Sequence, residues 1–241
     1  MIFKLYRVKI FLLILALALL VVADLLFKQS FAQVQAQKSE KNDSIDMDLG
    51  AEINEVCAGC HGEYAEGGKE GEYPRLAGLP ANYLRQQLML FKQNKRHNIP
   101  MKPYANDREL PDDEIYSVTA YIESITLKTT IPTFEPDTSA YEKLLIAKQV
   151  LNIPRVEGDI DLGKKLYDKE CKLCHGVDAK GKKGSDTPQL SGQYTQYMSK
   201  QIEDYNNKKR QHDYDDEDEA FKAYSAEQLQ AILAYLSITD D

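Results

Sequence analysis

Apolar and aromatic positions in this chain recur every three or four residues, the period of an α-helix, and no run alternates as a half-buried strand would. In "ANYLRQQLMLFKQ", Tyr83, Leu84, Leu88 and Phe91 fall at helical spacing, and "TQYMSKQIEDY" copies it with Tyr197, Met198, Ile202 and Tyr205. A second pair of segments, "DEIYSVTAYIESI" and "AEQLQAILAYLSI", predicts two more helices, the latter opened by a capping box of Ser225 and Gln228. A helix near Leu49–Cys57, and its counterpart near Leu162–Cys171, runs into a cysteine-containing pentapeptide. Between these groups lies a stretch with Pro132, Pro136 and Pro154 whose centre, Tyr141 to Val150, predicts a helix of about three turns. It reads as an ordered strap more than a loose tether. The pattern predicts an all-α protein.

The elements come in two copies. Shifted by 114 residues, the chain falls on itself: His61 on His175, Gly62 on Gly176, Gly67 on Gly181, and Pro74, Leu76 and Gly78 on Pro188, Leu190 and Gly192. Tyr83, Gln87, Arg96 and Tyr121 land on Tyr197, Gln201, Arg210 and Tyr235. Upstream, "DLG" at Asp48 and again at Asp161 fits with one residue inserted before the second copy's cysteine. This organisation divides the chain into a leader (1–32), a linker (33–45), a first domain (46–128), the strap (129–157) and a second domain (158–241). Domains of this size have thin cores by surface-to-volume scaling, and neither contains tryptophan, so a large buried prosthetic group would supply what the side chains do not.

The leader departs from the pattern. Lys4, Arg7 and Lys9 precede the apolar run Ile10 to Ala23, and "SFAQ" offers Ser30 and Ala32 where an export peptidase reads small residues. The run is shorter than the roughly 20 residues that span a bilayer, so a cleaved signal peptide is the expectation; a retained anchor extended by Leu25 to Phe27 is the alternative. Membrane contact is expected only if this segment is retained. Of 241 residues, 43% are apolar and 28% charged, which excludes wholesale disorder. Loss of the leader would leave a formal charge of −11 against −8 for the whole chain, because it carries four basic residues and only Asp24 on the acidic side. Such a balance speaks against nucleic acid or anionic lipid and for redox partners with a basic docking surface.

The four cysteines all sit in the repeated pentapeptides "CAGCH" (Cys57, Cys60, His61) and "CKLCH" (Cys171, Cys174, His175), so none is left for a structural disulfide. Cys-x-x-Cys-His is the attachment signature of c-type haem: two thiols one helical turn apart add to the two vinyl groups of one porphyrin edge, and the adjacent histidine supplies an imidazole to the iron. Two copies predict two covalently bound haem c groups. A thioredoxin-type pair would need a βαβ context that is missing here, and a four-thiolate zinc site would leave both histidines unexplained. The opposite face of the first iron finds a candidate in Met101, in the Pro-flanked stretch "KRHNIPMKPYAND"; a thioether paired with histidine raises the reduction potential and suits electron transfer. Met89, on the preceding helix, reads as core.

With these motifs, the Pro-x-Leu-x-Gly loop, "YLRQQLMLF" and the closing "AYI" helix, the chain resembles class I cytochrome c, and two copies in one exported chain resemble the cytochrome c4 type. The resemblance covers residues 46–127 and 158–239 and implies two tandem class I cytochrome c domains, each wrapped round one covalently bound haem and packed about a pseudo-twofold axis. It implies an electron carrier between quinol-oxidising complexes and terminal oxidases. It also implies that the carbonyls of Pro74 and Pro188 orient the ligand histidines.

The second copy departs from the family pattern on one side only. The equivalent of Met101 is Asp215, in the methionine-free stretch "KKRQHDYDDEDEAFKAYS". His212 would complete a bis-histidine site of lower potential; an open or water-bound iron is the main alternative, and Met198, a tyrosine or a lysine the remainder. Met198 aligns with Leu84 and reads as core. The acidic run Asp213 to Glu219 reads as a solvated loop, a docking patch or, least, a calcium site without EF-hand spacing. Arg96 and Arg210, beside the ligand loops, are expected either on a haem propionate or in a surface ion pair. The expected function is electron carriage in the periplasm, between a quinol-oxidising complex or a dehydrogenase and an acceptor such as a terminal oxidase. The alternatives are a ligand-binding or catalytic second haem, and a dedicated electron-transfer subunit of an exported dehydrogenase.

Overall fold

The computed structural model describes residue 28 and residues 45–68, 71–212 and 221–239. The leader and linker, apart from Lys28 and Ile45, lie outside that range, as do Asp215 and the acidic run. Residues 46–241 form one compact unit that contains both copies. Among the described residues the secondary structure is helical, with only isolated bridges between Gly68 and Tyr73 and between Lys128 and Val150. None of the described helices is long and apolar enough to cross a membrane.

The first copy is built on α1 (Met47–His61), α2 (Ala81–Lys92) and α3 (Glu114–Ser124). Helix α1 starts where the Asp46 carboxylate accepts from the amides of Asp48 and Leu49, and it runs unbroken through the whole pentapeptide. Gly62, at φ 84°, turns the chain out. The "DLG" glycine has a packing reason. A Cβ on Gly50 would collide with the Ser117 carbonyl and the Tyr121 side chain, so glycine lets α1 cross α3 in backbone contact. Leu79, Leu84, Leu110, Ile115, Val118 and Ile122 fill the core, with Met89 packed against it as its helical position predicts.

The second copy repeats the plan with one break. Helix α5 (Ile160–Glu170), capped by Asp159, stops at Cys171, and a single turn, α6 (Lys172–His175), carries the rest of the pentapeptide. The residue inserted before the second copy's cysteine is absorbed at that interruption. Gly163 meets Ala231 of the last helix as Gly50 meets Ser117. Helices α7 (Thr195–Asn206) and α8 (Ala226–Leu236) complete the copy, and the Ser225–Gln228 capping box forms as predicted. Met198 is buried at 7% exposure among Tyr167, Ile232, Leu233 and Leu236, so it serves the core.

The strap is ordered. Its helix, α4 (Ala140–Lys148), opens with a capping box of Ser139 and Glu142 that the sequence reading missed. Lys128 donates to Gln149 at 2.9 Å and Leu151 to Lys128 at 2.7 Å, which closes the ends of the excursion on each other. Leu151 and Ile153 are then buried, and the Val156 amide donates to Ser237 Oγ of the second copy.

Candidate haem sites

In each copy the ligand histidine is fixed by a carbonyl. His61 Nδ1 lies 2.9 Å from the Pro74 carbonyl and His175 Nδ1 2.8 Å from that of Pro188. A carbonyl can only accept, so each ring carries its proton on Nδ1 and keeps the Nε2 lone pair for a metal. Burial holds both imidazoles below their ordinary pKa and so favours the neutral, ligating form; Arg96 adds to this at His61 and His212 at His175. Both are buried, at 7% and 8% exposure.

The first cysteine of each pentapeptide lies where the thiolate is disfavoured. None of the four cysteines forms a disulfide. Burial pushes the Cys57 thiol up, and burial, Glu170 and Cys174 push Cys171 to about 11, whereas redox-active or zinc-binding cysteines sit in surroundings that depress the pKa. Among the described residues no three His, Cys, Asp or Glu side chains converge on a metal-sized point, as the zinc alternative would need.

The opposite faces differ. Met101 is half-buried in a tight turn: its amide donates to Asn98 Oδ1 at 3.2 Å and its carbonyl accepts from Tyr104 and Ala105 at 3.1 and 3.0 Å. In the second copy the His212 ring sits 6.2 Å from the His175 ring, centroid to centroid. A metal–imidazole bond is about 2 Å, so two imidazoles binding one ion from opposite sides place their centroids roughly 6 Å apart. The pair therefore fits a haem iron between them. An aromatic clamp holds His212 there: Tyr205 at 5.2 Å and Phe221 at 5.1 Å both meet it edge-on, and those two rings stack on each other at 5.5 Å.

Arg96 and Arg210 correct the reading of the sequence. Neither lies in a surface ion pair; both are buried where the two copies meet. Arg96 donates to Gln87 of its own copy and to Tyr197 and Gln201 of the other, each at 2.9 Å. Arg210 mirrors it, donating to Gln201 at 2.7 Å and across to Tyr83 at 2.6 Å and Gln87 at 3.2 Å. Tyr83 and Tyr197 thus belong to this seam and not only to an apolar helix face. Burial would raise the Tyr197 phenol, but the two guanidiniums outweigh it and hold its pKa low. Arg210 Nε remains buried without a partner among the described residues, so a bound carboxylate such as a propionate can still be received there. Arg75 adds a third, half-buried guanidinium, donating to the Ala77, Ser191 and Gly192 carbonyls, with burial lowering its pKa to about 10. The signal for the seam was present in the repeat itself, in three polar residues copied at one spacing.

A repeated helical unit, a histidine locked for ligation and a pair of thiols one turn away define a tandem c-type haem protein. The cytochrome c family description matches residues 47–126 and 160–239. The chain belongs to the cytochrome c family, and it carries two covalently bound haem c groups. It is 31% identical over 191 residues to the thiosulfate dehydrogenase electron acceptor of Stutzerimonas stutzeri (strain A1501), covering 76% of this chain and 78% of that one. It is 27% identical over 172 residues to cytochrome c4 of Azotobacter vinelandii, covering 66% and 72%. Its fold matches reduced cytochrome c4 from Pseudomonas stutzeri with a TM-score of 0.59 at 21% identity, over 80% of this chain and 98% of that one. It is a dihaem electron-transfer protein.

Proposed function

We propose that this protein is an exported electron carrier whose second domain accepts electrons and whose first domain delivers them. Haem, when bound, supplies reversible one-electron storage at iron. The chain's own residues set where that storage is favourable. His61 with Met101 raises the potential of the first site, and His175 with His212 lowers that of the second. That order of potentials would favour transfer from the second copy to the first, and the Arg96–Arg210 seam would hold the two copies together. The observation that supports this reading is the 6.2 Å spacing of the His175 and His212 rings, which suits a bis-histidine site where exogenous ligands would be disfavoured.

The donor we favour is an exported dehydrogenase acting on a small sulfur oxyanion, because the relative from Stutzerimonas stutzeri is an electron acceptor for thiosulfate dehydrogenase. A quinol-oxidising complex is the second reading, carried by the likeness to cytochrome c4. An acceptor such as a terminal oxidase, presenting basic residues to the acidic first domain, completes the path. The site of action is the periplasm, with the leader cleaved after Ala32 or kept as an anchor; N-terminal sequencing of the mature protein separates the two. Mixing the oxidised protein with thiosulfate dehydrogenase and thiosulfate, and separately with a quinol-oxidising complex and quinol, identifies the donor by which mixture bleaches the ferric spectrum. Carbon monoxide should leave the reduced spectrum unchanged. Fast binding at one haem per chain would return the second site to the ligand-binding alternative.

A further inference from the structure

Each copy ties the end of its second helix to one matched position in the loop that follows, and the two ties use different chemistry. Residues 93–113 join α2 to α3 without a helix, and Met101 lies near their middle. Shifted by 114 residues, Phe91, Lys92 and Asp107 fall on Tyr205, Asn206 and Phe221. In the second copy the tie is aromatic: Tyr205 and Phe221 stack at 5.5 Å, and both meet His212. In the first copy the tie is ionic, because Lys92, the last residue of α2, reaches Asp107 at 2.8 Å. The ring one position earlier is common to both and lies under a seam arginine, Arg96 over Phe91 at 4.4 Å and Arg210 over Tyr205 at 4.9 Å.

Lys92 holds more than one acid. An ammonium has three protons, and each finds an acceptor in the loop: Asp107 Oδ1 at 2.8 Å, the Leu110 carbonyl at 2.9 Å, and Asp112 Oδ1. The lysine side chain is 5% exposed, against 92% and 65% for Asp107 and Asp112, so the loop folds its acids down over a cation that belongs to the helix. Exposed ion pairs contribute little, but a covered ammonium that also bonds a backbone carbonyl loses all three partners at once if the loop lifts. A series of turns carries that hold back to the methionine. The Met101 carbonyl accepts from Ala105 at 3.0 Å, the Asn106 side chain accepts from the amides of Arg108 and Glu109, and the Leu110 amide donates to the Asn106 carbonyl at 2.9 Å. Upstream, the seam already fixes the loop at Arg96. Met101 therefore sits between two fixed points, and its neutral thioether brings no charge of its own to hold it at a metal.

We propose that Lys92 is a positioning residue for the first haem: its ammonium clasps the downstream half of the loop and so keeps Met101 in place as the sixth ligand. This rests on the pairing of His61 with Met101 proposed above. The aromatic clamp does the same for His212, so the two copies perform one task with unlike chemistry.

Imidazole titration of the oxidised holoprotein tests it. Added imidazole occupies an iron only as far as the protein's own ligand lets go, so its apparent affinity measures how often the loop opens. Loss of the near-infrared band of methionine-ligated haem reads the first site alone. Lys92→Met should tighten apparent imidazole binding about tenfold. Lys92→Arg, which keeps the charge, should bind imidazole nearly as weakly as wild type. A purely structural lysine would lower the urea midpoint when replaced and leave the imidazole affinity unmoved. Asp107→Asn/Asp112→Asn changes two exposed side chains, should shift the affinity in the same direction, and carries the test where Lys92→Met does not fold. Wild-type affinity in Lys92→Met, or in the aspartate variant in its stead, overturns the clasp while leaving Met101 on the iron, as does equal tightening in Lys92→Met and Lys92→Arg. A band missing from wild type, or one that survives Met101→Ala, overturns the ligand pairing itself.

Discussion

The two copies share one half of a haem site and differ in the other. On the attachment side they agree closely: Cys-x-x-Cys-His, a carbonyl at 2.8–2.9 Å from Nδ1, a glycine at φ 84° after the histidine, and a glycine-mediated helix crossing. For the opposite side the first copy has as its candidate Met101, in a tight turn, and the second His212, held by two aromatic rings 6.2 Å from His175. Attachment tolerates little change because the covalent geometry must be met every time. The sixth position can drift among ligands, and each choice resets the potential. Under the proposed ligand pairs, a duplication that freezes one side and frees the other would yield two unlike redox levels from one fold.

The comparison can be broken most severely by removing one attachment. Cys171→Ser/Cys174→Ser should halve the haem per chain in an alkaline pyridine assay and leave the first domain's spectrum intact. Retention of two haems would refute attachment at these thiols. The comparison can instead be erased by making the copies alike: His212→Met should raise the lower of the two potentials by on the order of 0.1–0.3 V, within the ~0.8 V that axial ligands command. A potentiometric titration reads this directly, and an unmoved lower wave would place the sixth ligand elsewhere.

Smaller effects probe the seam. Arg96→Met and Arg210→Met should each cost about 2–3 kcal/mol in urea unfolding, because each strands buried tyrosine and glutamine partners. They share Gln87 and Gln201, so the double variant should cost less than the two together, by about 1 kcal/mol. Additive costs would mean that the arginines act separately. Least, the two serine capping boxes should separate core from strap. Ser225→Ala should cost about 1 kcal/mol of the second domain's stability, and Ser139→Ala should only increase amide exchange in α4.

The helices and the attachment residues were legible in the sequence because both are local. Helical spacing names a face within one segment, and Cys57 to His61 lie within one turn and a half. The prolyl carbonyls followed from the family resemblance. The seam was not legible, although its residues were noticed as repeats. Arg96 meets Tyr197 and Arg210 meets Tyr83 across 101 and 127 residues, so their placement depends on how two finished domains pack. The break at Cys171 was equally hidden: an inserted residue signals a local change but not where the helix stops. His212 could be named only as one of several ligands, since nothing local shows that Tyr205 and Phe221 hold it opposite His175.

The asymmetry is tested most directly by the near-infrared charge-transfer band of methionine-ligated ferric haem, measured per chain in wild type, Met101→Ala and His212→Ala. One methionine-ligated haem per chain is expected, lost in Met101→Ala and kept in full in His212→Ala, where the second haem turns high-spin. A band that survives Met101→Ala, or a second haem that stays low-spin without His212, would contradict the pairing of His61 with Met101 and His175 with His212.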